Sequence, residues 1–137
     1  MPTNDAPDAG SRAILVVDDE EVVRDYLTTV LELDGYQVDA VGDGRAALEY
    51  VSKYPVDLLL VDWLMPGMNG RELHEELSRQ DHPLAERMVV MSGNTHDERV
   101  IDFLKKTGVE AIQKPFRAAD VQQVVVKLLD DSSPPAK

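Results

Sequence analysis

Five times along the chain a short apolar run gives way to a segment whose apolar residues recur every three or four positions, and this alternation restricts the possible folds more than any other feature. The runs cover Ala13 to Val17, Tyr36 to Val41, Val56 to Asp62, Arg87 to Met91 and Val109 to Gln113. After the first, Val23, Leu27, Val30 and Leu31 share one face of a predicted helix over Glu20 to Leu33, stopped at Gly35. Asp43 can cap a second helix through about Lys53, with Ala47, Tyr50 and Val51 inward. Further helices are predicted over Arg71 to Arg79, over His96 to Lys106 (Val100, Phe103 and Leu104 inward) and over Arg117 to Leu129 (Val121, Val124, Val125 and Leu128 on one stripe). Strands separated by helices cannot pair through tight hairpins, so they must run parallel. The expected fold class is α/β: a five-stranded parallel sheet with helices on both faces. Leu58 to Val61 has no polar break before Asp62, which marks a central strand covered on both sides.

The chain has 137 residues, the size of one domain, expected over 12–130. Residues 1–11 and 131–137 lack periodicity and are expected to be disordered tails. No apolar run approaches the roughly 20 residues of a bilayer span, and the first residues lack the pattern of a signal peptide. There is no cysteine, so disulfides and thiolate metal sites are excluded. A cytoplasmic location is expected. The net charge of −12 repels phosphate backbones and anionic membranes, so neither nucleic acid nor membrane is an expected direct partner. The same charge suits divalent cations and basic partner patches.

In open parallel sheets, ligands bind beyond the C-terminal ends of the strands. The residues found there are Asp18 and Asp19, then Gly42 and Asp43, then Asp62, Ser92 and Lys114. Singly, each has an ordinary explanation. Asp18 and Asp19 can cap a helix, Asp62 and Ser92 can shape turns, and Lys114 can be a solvated surface cation. Together they place three carboxylates, a hydroxyl and an ammonium on one edge. Several carboxylates suit a hard cation such as Mg²⁺, which keeps room for waters and a phosphate oxygen and offsets the repulsion within "VVDDEE". A carboxylate beside such a cation can attack phosphorus to give an aspartyl-phosphate. Lys114 can then neutralise one phosphoryl oxygen and Ser92 can donate to another.

The motifs "VVDDEE", "LLLVDWLMPGMNG", "VVMSGNT" and "QKPF", in this order, resemble those of the receiver domains of two-component response regulators. The resemblance covers about Arg12 to Asp130 and implies a doubly wound sheet of flavodoxin-like topology. It implies that Asp62 is the phosphorylated residue, Asp19 a direct Mg²⁺ ligand, Asp18 an acid acting through metal-bound water, and the Leu64 backbone carbonyl a further ligand. It also implies that Ser92 is the switch hydroxyl, Lys114 the phosphate-binding lysine and the Lys114–Pro115 bond cis. The chain departs from the pattern at Ala111, where relatives usually carry Tyr or Phe; receivers attached to hybrid histidine kinases often lack that ring. Leu64 and Asn94 fall at positions that tune hydrolysis. An apolar Leu64 cannot orient water by hydrogen bonding, so a long-lived phosphoryl group is expected.

The expected function is that of a phosphoacceptor switch supplied by a histidine kinase or phosphotransfer protein, and passing its signal to an unidentified downstream protein. Val22, Val23 and Tyr26 are candidate contacts for the donor's helix, although Val23 fits the core as well. Such a domain is not an enzyme in the ordinary sense, since it turns over only its own phosphoryl group. Two alternatives stand beside it. An aspartate-nucleophile phosphatase needs a second acid two residues after the nucleophile, and Leu64 stands there. A phosphorylation-independent pseudo-receiver usually lacks a site residue, and here all are present; only Ala111 favours it.

Overall fold

The computed structural model describes residues 12–131. The expected tail over 1–11, and all of the second except residue 131, lie outside the described residues. Strands β1 (Ala13–Val17), β2 (Gln37–Val41), β3 (Leu58–Asp62), β4 (Met88–Ser92) and β5 (Glu110–Gln113) alternate with helices α1 (Glu21–Leu33), α2 (Gly44–Lys53), α3 (Gly70–Arg79), α4 (Glu98–Thr107) and α5 (Ala118–Asp131). All four strand pairings are parallel, in the order β2-β1-β3-β4-β5. This is the doubly wound, flavodoxin-like arrangement, whose strand order reverses at β1.

The pleat divides the core in two. Leu15, Val17, Leu59, Val61 and Val90 face α2, α3 and α4, meeting Ala47, Leu73, Leu77 and Phe103. Ile14, Val16, Leu58, Leu60 and Met91 face the other way, toward Leu27 and Leu31 of α1 and Val121 and Val125 of α5. Every residue of β3 is buried, as its unbroken apolar run requires. Each fully buried leucine stabilises the fold by roughly 1.5–3 kcal/mol. Among the described residues no helix is long and apolar enough to cross a membrane.

Several local details depart from the sequence expectation. In β2 no residue is fully buried, because an edge strand is covered less completely than its neighbours. Helix α1 ends in a Schellman motif: Tyr36 N–H donates to the Leu31 carbonyl and Gly35 N–H to that of Glu32. Gly35 takes φ +97°, which a side chain would strain. Helix α3 starts at Gly70, one residue early, because Asn69 and Glu72 form a reciprocal capping box. Helix α4 starts at Glu98 rather than His96, since Asp97 takes the cap position and accepts the Arg99 N–H. A 3₁₀ turn over Pro83–Glu86, too short to leave a periodic signature, buries Leu84 and Ala85 beside α3.

Candidate functional site

The strand ends bring Asp18, Asp19 and Asp62 together. One oxygen from each lies within 4.8 Å of the others. Asp18 directly follows β1 and is fully buried, with each of its polar groups engaged. Its N–H donates to the Val41 carbonyl, and its own carbonyl accepts from Arg24 Nη1 at 2.8 Å. Its Oδ1 accepts the Glu20 N–H, and its Oδ2 accepts Lys114 Nζ, each at 2.9 Å. Asp19 is exposed. Neither residue caps α1: Glu20 holds that position without a side-chain cap bond. Asp18 instead turns the chain into α1 through its bond to the Glu20 N–H, and Asp19 does not hold the cap position.

Asp62 closes β3 and is buried, at 7% exposure. Its Oδ1 lies 3.3 Å from Lys114 Nζ, and among the described residues no other side chain pairs with this carboxylate. Burial, and then the charge of Asp18, push its pKa up to about 6, while Lys114 works against that rise and Asp19 adds slightly to it. For Lys114, burial opposes the charged form. The hydrogen bond to Asp18 and the charges of Asp62 and Asp18 outweigh it, holding the ammonium above its ordinary value. Lys114 is thus a half-buried cation clamped between two acids, not a solvated lysine.

Ser92 closes β4 and is buried; its Oγ accepts the Asn94 N–H at 3.0 Å, and its carbonyl accepts the Lys114 N–H at 2.7 Å. Leu64 sits two residues past Asp62 with its side chain largely in solvent. Ala111 lies in β5, half-buried, and the Lys114–Pro115 peptide is cis. Three oxygen donors of mixed burial, open at Asp19, fit a hard divalent cation that keeps part of its water shell. The donor set contains no sulfur or imidazole and so favours Mg²⁺ over softer metals.

Two supporting residues escaped the sequence reading. Arg24 reaches back from the first turn of α1 to the Asp18 carbonyl, and its spacing in the sequence gives no signal of that contact. Gly70 packs against the end of β3, where an added Cβ would meet the Asp62 carbonyl at 3.2 Å and Trp63 Cα at 3.3 Å. Both contacts are with backbone, which cannot swing aside. Gly70→Ala is expected to destabilise the protein by about 1–3 kcal/mol in urea titration, as overpacking does. An unchanged midpoint would show that β3 and α3 separate freely.

Beside the acids runs an apolar groove of about 550 Å³ between Val22, Val23 and Tyr26 of α1 and Pro115 and Phe116. Val22 is 79% exposed and Tyr26 41%, whereas Val23 packs partly on the core. The Tyr26 and Phe116 rings lie 6.3 Å apart across it.

Residues 14–126 match the family model described as the response regulator receiver domain. The two-component response regulator PhoP of Pseudomonas aeruginosa is 35% identical over 88% of this chain and 52% of its own length. The chain spans about half the length of the curated relatives it matches. Among solved structures, the receiver domain of a signal transduction histidine kinase from Syntrophus aciditrophicus superposes with TM-score 0.79 at 28% identity, covering 93% of this chain and 95% of that one. The response regulator TrrA of Thermotoga maritima, solved with Mg²⁺ and BeF, gives TM-score 0.74 at 28% identity over 86% of this chain and 99% of that one.

Proposed function

This chain belongs to the family of response regulator receiver domains, and on that premise we propose that Asp62 accepts a phosphoryl group from a histidine kinase or phosphotransfer protein. The receiver unit spans 12–130. The observation that carries the assignment is the Asp62 carboxylate itself: buried, paired among the described residues with Lys114 alone, and adjoining two further acids. Asp18, Asp19, Asp62 and the Leu64 carbonyl would hold Mg²⁺, which when bound neutralises charge on the phosphoryl oxygens and the acids.

The transfer is a displacement at phosphorus. An Asp62 oxygen forms the new P–O bond as the P–N bond to the donor imidazole breaks, and the imidazole leaves with the electron pair. No general base is needed, because the nucleophile is already an anion above its pKa. Positioning and charge neutralisation then supply most of the rate. Lys114 meets one phosphoryl oxygen as it turns from Asp62, and Ser92 donates to another. The donor's helix docks in the groove of Val22, Tyr26 and Phe116, whose apolar floor ends beside Lys114.

Incubation with MgCl₂ and acetyl phosphate, followed by intact-mass spectrometry, tests the assignment. One phosphoryl group is expected on the wild type and none on Asp62→Asn, with decay over minutes or longer because Leu64 cannot orient water. Equal labelling of the variant would move the acceptor elsewhere.

A further inference from the structure

We propose that the hydrogen bond between Gln113 and Thr95 does the work of the absent aromatic residue, holding the Ser92 loop back and tying its movement to the β5 edge. This rests on the reading of Asp62 as phosphoacceptor.

Gln113 sits between the two groups assigned to the phosphoryl oxygens. It pairs with Ser92 in the parallel register and precedes Lys114 in the chain. Its Oε1 accepts from Thr95 Oγ1 at 2.7 Å and, more weakly, from the Thr95 N–H at 3.5 Å. Thr95 follows Asn94, whose N–H donates to Ser92 Oγ. The ladder, the latch and the Ser92–Asn94 bond therefore close a ring around the start of the β4–α4 loop. A Ser92 hydroxyl drawn toward a phosphoryl oxygen carries Asn94 and Thr95 with it, and the latch must stretch or open.

The latch also lies on the face where an aromatic switch would act. Ile112 packs into the core beneath α1 and α5, so Ala111 and Gln113, one residue to either side, lean toward α4. Ala111 leaves no ring to rotate there. Gln113 is exposed at the strand's end and Thr95 half-buried, so opening the latch presents an amide and a hydroxyl at the surface without unsealing the core. A single net hydrogen bond biases such a two-state loop by about two- to tenfold, enough to be read and small enough to reverse.

The experiment uses the full chain with MgCl₂ and beryllofluoride as the phosphoryl mimic, comparing wild type, Thr95→Val, Thr95→Ser, Gln113→Ala and the Thr95→Val/Gln113→Ala double variant. Beryllofluoride affinity and amide shifts along β5 are measured. Thr95→Val and Gln113→Ala should each bind beryllofluoride about two- to tenfold more tightly. Before it is added, their amides at Ala111 and Ile112 should already be displaced toward the loaded positions. Thr95→Ser, which keeps the hydroxyl donor, should match wild type, and the double variant should match Gln113→Ala, which already removes the acceptor of both Thr95 bonds. Unchanged affinity in both single variants, or additive effects in the double, overturns the latch while leaving Asp62 as acceptor. A wild type that takes up no beryllofluoride overturns both.

Discussion

Replacing Lys114 with methionine should leave the metal-free protein about 3–5 kcal/mol less stable at neutral pH, the cost of removing one partner from a buried ion pair. Methionine keeps most of the aliphatic stem, so the change isolates the charge. Lys114 is the only side chain paired with Asp62 among the described residues, and it satisfies one oxygen of the fully buried Asp18. Without it, two acids face each other across a poorly solvated gap. The deficit should depend on pH in a definite direction. The raised pKa of Lys114 means that its contribution is complete at neutral pH and fades only as pH climbs through its folded-state value. On the acid side, Asp62 in the variant lacks the cation that holds its pKa down, so it takes up a proton above the wild-type value of about 6 and the deficit should already shrink as the pH falls toward that point. Saturating MgCl₂ should recover part of the loss, because a bound cation restores the missing positive charge. Urea titrations at pH 5 and pH 8, with and without MgCl₂, check all of this. Equal midpoints for the two proteins at pH 8 would mean that the carboxylates are already screened by water.

Asp62→Asn should move stability the opposite way. The Asp62 pKa stands at about 6 in the folded protein, above its ordinary value of 3.8. A carboxyl group whose pKa is raised on folding favours the native state below its unfolded value and loses that advantage as pH rises through the folded one. At pH 8 the ionised Asp62 is therefore a burden on the metal-free fold, on the order of 1–3 kcal/mol. The neutral amide lifts it, so the metal-free variant should be the more stable protein at pH 8, with the gap closing toward pH 4. Mg²⁺ should stabilise the wild type strongly and the variant weakly, since one of three acidic ligands is gone. Thermal unfolding across that pH range decides the matter. A variant less stable than wild type at pH 8, or equal stabilisation of both by Mg²⁺, would refute the picture of a strained acid kept for its chemistry.

Much of this was legible without coordinates, for identifiable reasons. The central position of β3 followed from the apolar run Leu58 to Val61, because only a strand covered on both faces tolerates four such residues in succession. The site residues were legible because a parallel α/β sheet gathers its strand ends on one edge, so Asp18, Asp62, Ser92 and Lys114 could be listed from strand boundaries alone. Local chemistry was read less well. The capping box at Asn69 and the cap at Asp97 shifted two helix starts by one or two residues, since side-chain hydrogen bonds outweigh apolar spacing at helix ends. Periodicity could not register the 3₁₀ turn over Pro83–Glu86, because four residues complete no pattern.

The sequence by itself determined the apolar face of most helices, how many strands there would be, that they would run parallel, and which chemical groups would stand at their ends. These follow from local spacing, and spacing survives in a linear chain. Only the tertiary structure decided that Lys114 bridges Asp18 and Asp62, that Arg24 turns back to the Asp18 carbonyl, and that Gln113 reaches across to Thr95. Ninety-six positions separate Lys114 from Asp18. Whether a lysine so distant becomes a clamp or a solvated cation depends on burial and distance, which exist only once the sheet has closed.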